Sequence, residues 1–139
     1  MGKDTPQLRL FSLRFTMMAF HGLVWSFLWQ SSPEFHLSSY TTLTSDTINS
    51  TLVSVRVFGA IFLALTALIT LCGFSLHSIG SHYFFIVTHS LGILLTVVSI
   101  LNFWEVRLLW VPAILCCLLP FLVEFIGVIL ICAGKSQHF

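Results

Sequence analysis

Charge is what this chain has least of. Only 8% of its 139 residues are charged, 57% are hydrophobic, and the mean hydropathy is +0.99. A soluble domain carries about a quarter charged residues, and a surface this apolar would expose greasy patches that soluble monomers rarely tolerate. Net charge is +1. With no basic stripe to neutralise phosphates, nucleic acid is excluded as a partner. The four cysteines, Cys72, Cys116, Cys117 and Cys132, all lie in or at the ends of apolar runs. No polar loop holds one and no Cys-x-x-Cys exists, which argues against both a disulfide framework and a thiol oxidoreductase. Catalytic templates are missing too: no G-x-S-x-G, no Gly-rich phosphate loop, no H-E-x-x-H and no carboxylate pair. The expectation is a non-enzyme with no cofactor and no small-molecule substrate.

What is present is length in apolar runs. Crossing a bilayer takes about 20 apolar residues in a helix. Four stretches qualify, at about 10–29, 52–74, 83–104 and 108–133. Backbone polar groups must be satisfied inside lipid, which leaves helices as the plausible form. The expected fold is an all-α membrane protein, a four-transmembrane-helix bundle forming one domain over residues 1–139. The first stretch is long for a signal peptide, is broken by Arg14, and lacks an A-x-A cleavage site, so it reads as a retained span. Residues 30–51 form a Ser/Thr-rich outer loop. The connection Glu105-Val106-Arg107 is so tight that helices three and four must form an antiparallel hairpin.

Lysine and arginine placement sets orientation. The side holding both termini carries Lys3, Arg9, Arg14 and Lys135, against Arg107 opposite, with Arg56 just inside the membrane edge. That favours cytoplasmic N- and C-termini. Trp29, Trp104 and Trp110 then gather at the outer interface, as an aromatic belt would.

Glu124 is the costliest residue, because a carboxylate deep in a membrane helix carries a penalty of roughly 2.5 kcal/mol or more. It should face the interior and find a partner. Counting along the spans puts His89 and Glu124 each about 4 residues, roughly 6 Å, to the inner side of the midplane on neighbouring helices. His21, near the middle of helix one, is a second candidate partner, and Thr88 and Ser90 could add hydrogen bonds. A proton relay is one reading of this trio. The plainer one is a polar clamp that fixes which helix faces which. Two histidines and a glutamate could also hold zinc, but no paired-His spacing supports a metal. His36, His77, His82 and His138 read as solvated. Arg56 and Glu105, at similar depth, could form an ion pair, though Arg56 snorkelling to headgroups is the simpler expectation.

Pro112 and Pro120 each remove a helix hydrogen bond and predict a kinked fourth helix. Gly59, Gly92 and Gly127 would allow close helix approach, without any GxxxG. Asn49-Ser50-Thr51 matches the glycosylation sequon but lies only about three residues from the expected second helix, so poor use is expected. Met1-Gly2 fails as a myristoylation site because Pro6 stands where Ser or Thr is required, and Cys72 and Cys132 sit at inner helix ends where acylation could occur.

Taken together these residues resemble the transmembrane protein 107 family. Helix one carries Arg14-Phe15, then His21, then Leu28-Trp29, in that family's order. His89 precedes Trp104-Glu105 by its interval. Trp104, Glu105 and Trp110 keep the W-E-x-x-x-x-W spacing, an interface motif with Pro120, and Leu119-Pro120 with Glu124 reproduces L-P-x-x-x-E. The second helix departs, with Arg56 where vertebrate members carry an acidic residue, and the first loop diverges. The resemblance implies a structural, non-catalytic role at the ciliary transition zone. There the family acts with tectonic proteins and other Meckel-syndrome-module components to gate membrane composition, support cilium assembly and localise other gate proteins. Two other readings stand beside it: a small proton-coupled carrier using Glu124 and His89, and a MARVEL-like tetraspan that organises vesicle or junction membranes, with membrane lipid as a partner.

Overall fold

The computed structural model describes residues 6–30, 44–72, 79–102 and 106–134. Every described element is helical. We label them α1 (Pro6–Gln30), α2 (Ser45–Leu71), α3 (Ile79–Leu101) and α4 (Val106–Cys132). Helix α1 packs along α3 and α2, and α4 packs along the same two, so α1 and α4 face each other across a diagonal. The expected adjacency of helices three and four is present.

The helices are turned inside out relative to a soluble bundle. Arg14, His21, His82, His89, Thr96, Ser99 and Glu124 are buried, while Phe20, Phe27, Ile61, Leu94 and Ile126 are half exposed. That is the distribution hydrocarbon favours, since polar groups in lipid are confined to the bundle interior. Buried positions repeat at alternating three- and four-residue steps: 14, 18, 21, 25 and 28 on α1, and 82, 85, 89, 92, 96 and 99 on α3. Such spacing sets one continuous seam along each helix.

Three of the helices, α2, α3 and α4, are long and apolar enough to cross a membrane by length and composition. The expectation of four is corrected to three on that measure. Helix α1 has the length, at 25 residues, but Arg9, Arg14 and His21 with Gln7 and Gln30 dilute its apolar content.

Helix α2 begins at Ser45, upstream of the expected Leu52. Thr44 caps it, its hydroxyl oxygen accepting from the Thr47 amide at 3.4 Å, and Asp46 stands in the first turn. The extra turns form because Ile48, Leu52 and Val55 bury one face against Leu28, Val106 and Leu109. Part of the segment expected as an outer loop is therefore helix. Helix α3 likewise begins at Ile79, four residues before the expected start.

The kink expected in the last helix takes the form of a widened turn. α4 opens as a 3-10 turn over Val106–Leu109, loosens into a π-helical stretch over Ala113–Leu118, and is regular from Leu119 to Cys132. Pro112 and Pro120 bracket the π segment. Each lacks the amide hydrogen that would hold the ordinary ladder, so the helix relaxes there.

Buried residues separate along the bundle. One half holds the apolar core of Trp25, Leu28, Leu52, Val55, Leu109 and Ala113. The other half gathers the N-terminal part of α1, the end of α2, the start of α3 and the end of α4, and holds Arg14, Thr70, His82 and Glu124, while Arg56, Thr96 and Ser99 are buried further along, towards the apolar core.

Candidate functional site

The polar half is organised by Arg14. Fully buried on α1, it forms an ion pair between Nη2 and Glu124 Oε1 of α4. The same Nη2 donates to Thr70 Oγ1 on α2 at 3.0 Å. Its Cζ lies 3.9 Å from the centroid of the Phe85 ring on α3, within cation–π range. One side chain thus reaches all three other helices. A buried charge is tolerated only when paired and hydrogen-bonded, and the arrangement meets both conditions for Arg14 and Glu124.

A second pair lies further along the seam. His21 Nδ1 and His89 Nδ1 are 3.1 Å apart, with ring centroids 5.4 Å apart. One ring must donate from Nδ1 and the other accept there. Gly92 makes this possible, because a Cβ at that position would collide with the His21 ring and Cys116. One helical step on, Trp25 is inserted over Gly59 of α2, where a Cβ would run into the indole, and its Nε1 donates to the Arg56 carbonyl at 3.1 Å. Two of the three glycines read as close-approach points serve as such. The third, Gly127, has open space around it.

The cationic partner of Glu124 is therefore Arg14, rather than either histidine singled out from the sequence. Thr88 and Ser90 bond to their own helix, donating to the Phe84 and Ile86 carbonyls. His82, expected in solvent, is fully buried. The early start of α3 places it in the first turn, edge-on to Phe11 at 6.5 Å between centroids. Neither of its ring nitrogens has a hydrogen-bond partner among the described residues.

Arg56 is 7% exposed, so the bundle covers most of it. Its expected partner Glu105, and Trp104 beside it, lie outside the described residues, as do Lys3, His36, His77, Lys135 and His138. Trp110 packs edge-on against Phe58 of α2 at 5.3 Å, and Pro120 is buried at the end of the π segment. Asn49 is exposed in the second turn of α2. Cys116 and Cys117 are free thiols buried in the core, and Cys72 and Cys132 are exposed at helix ends. No cluster of three or more His, Cys, Asp or Glu that could hold a metal occurs among the described residues.

Arg14, Thr70, Phe85 and His82 were not singled out as site residues in the sequence. The three-and-four spacing was the available signal. Arg14 heads the stripe that runs through Met18, His21, Trp25 and Leu28, and a charged residue on a buried stripe has to be matched.

The TMEM107 family model, described as a transmembrane protein, matches residues 10–128, which contain the ion pair and the histidine pair. No curated protein and no solved structure matches the chain.

Proposed function

The chain belongs to the transmembrane protein 107 family, and on that premise we propose that it is a non-enzymatic structural component of the ciliary transition zone. In this reading it crosses the membrane four times with both termini in the cytoplasm. It works sideways, against other transition-zone membrane proteins of the tectonic and Meckel-syndrome-module kind, to support cilium assembly, gate membrane composition and localise its partners.

The observation that carries the reading is the internal use of the polar groups. Arg14 is paired with Glu124, and His21 with His89, inside the bundle. Every helix turns large apolar side chains outward, Phe20 and Phe27 on α1, Ile61 and Leu68 on α2, Val87 and Leu94 on α3, and Ile126 and Ile129 on α4. A protein with this distribution meets neighbours through helix faces in lipid. The same pairing supports α1 as the fourth crossing, since its least lipid-soluble residue is neutralised by α4. Lysine and arginine counts support the cytoplasmic ends. A carrier built on Glu124 and His89 as one titrating unit has less support, because each has another partner. A tagged copy should concentrate in a narrow band at the cilium base, and its deletion should displace other gate proteins. Uniform staining of the plasma membrane would count against the proposal.

A further inference from the structure

Hydroxyls on α3 follow one habit, and Thr96 breaks it. Thr88, Ser90 and Ser99 each donate to the carbonyl four residues back, at 3.0, 2.7 and 2.6 Å. Thr96 is fully buried, yet its Oγ1 makes no hydrogen bond among the described residues. The carbonyl four residues back from it belongs to Gly92. His21 of α1 fills the space beside that glycine, where a Cβ would collide with its Cε1 and Nε2. The ring gives its Nδ1 to His89 at 3.1 Å, so Nε2, on the other side of Cε1, is directed away from that bond. It too is buried and has no partner among the described residues.

The two unpartnered atoms share one turn of α3. Side chains lean towards the N-terminus of their helix, so Thr96 leans over the turn that holds Gly92. Cβ atoms four residues apart on a helix are separated by about 5–6 Å, and His21 Nε2 sits where the Gly92 Cβ would be. That is too far for a direct bond, whereas two hydrogen bonds of about 2.8 Å through one intervening atom span about 5.6 Å. We propose that a single water molecule is bound there, held by His21 Nε2, Thr96 Oγ1 and the second lone pair of the Gly92 carbonyl, and that it fastens α1 to α3. Three polar partners are the usual complement of a buried water. Water also serves either tautomer of the histidine pair. It donates to a bare Nε2 or accepts from Nε2–H, and the Thr96 hydroxyl takes the complementary role. A hydrocarbon group in the same place would leave all of these atoms unsatisfied.

The test uses the full, isotope-labelled chain in phosphatidylcholine liposomes and water-edited solid-state NMR, which follows magnetisation from water protons into adjacent side chains. Trp25 is the internal reference, because it lies on the same seam of α1 and its Nε1 hydrogen is already taken by the Arg56 carbonyl. Build-up at His21 Cε1 and Thr96 Cβ should be faster than at Trp25 Nε1 by about threefold or more. Thr96→Val keeps the shape and removes the hydroxyl, so it should bring His21 down to the Trp25 rate. Thr96→Ser keeps the hydroxyl and should keep the fast rate. Thr88→Val removes a hydroxyl that serves its own helix and should change nothing. A parent His21 rate equal to that of Trp25, or a fast His21 rate that survives Thr96→Val, would overturn the proposal. If Thr96→Val displaced the Trp25 resonances and so altered the fold, Thr96→Ser decides: a slow His21 rate in that variant would overturn the proposal as well.

Discussion

Arg14 on α1 and Glu124 on α4 are paired across the diagonal of the bundle, between two helices that share no extended contact. The pair therefore works less as packing than as a constraint on arrangement. It requires the polar ends of α1 and α4 to meet, and it admits Thr70 and Phe85 only when α2 and α3 present their own polar ends beside them.

Removing one partner should be worse than removing both. Arg14→Met or Glu124→Leu alone leaves the other charge buried without its ion-pair partner, at a cost of about 3–5 kcal/mol. The double variant Arg14→Met with Glu124→Leu should recover most of that loss. Thermal unfolding in detergent, followed by circular dichroism, measures all three. Additive losses in the double variant would refute the coupling.

The glycines give a graded series. Gly59→Ala must displace the Trp25 ring, and Gly92→Ala must displace His21, each costing about 1–3 kcal/mol as overpacking. Gly127→Ala meets open space and should be neutral or slightly stabilising, because alanine is the better helix former. If the three melted alike, the close-approach role of Gly59 and Gly92 would be wrong.

His82 should be replaceable at a profit to stability. A buried polar group lacking a hydrogen bond carries a penalty of about 1–3 kcal/mol. His82→Leu keeps the apolar contact with Phe11 and removes both ring nitrogens, so the melting temperature should rise. A fall would mean that the ring is engaged by a group outside the described residues.

Topology can be read with a glycan. Ser39→Asn creates a sequon with Tyr40 and Thr41 in the segment between α1 and α2. With cytoplasmic ends this segment faces the lumen during synthesis, so the variant should run about one glycan heavier and shift back after glycosidase treatment. The native Asn49 lies within α2 and should stay unmodified. An unmodified Ser39→Asn variant would reverse the assigned orientation.

Much of the frame was legible in the sequence, and the partner of Glu124 was not. Apolar runs of the right length located the helices, and Gly59 and Gly92 marked close approaches from composition alone. Helix ends were the weak point. The first run, read from Leu10, counted Arg14 as an interruption on the side of the termini. The helix starts at Pro6, so Arg14 lies two turns into it, paired with Glu124. The same shortening hid His82 in an expected loop and left Asn49 outside α2. Hydropathy fades wherever a helix keeps its polar residues on the buried side, where Arg14 and His82 lie.

Synthesis order gives the diagonal pair a further meaning. Arg14 emerges from the ribosome early and Glu124 near the end, so the most polar helix must wait, with its guanidinium uncompensated, until the last helix arrives. A nascent chain stopped after α3 would hold α1 in the bilayer only weakly. On the proposal that α1 is a membrane crossing, the final helix is thus also the latch that holds the first one there, because it carries the carboxylate paired with Arg14.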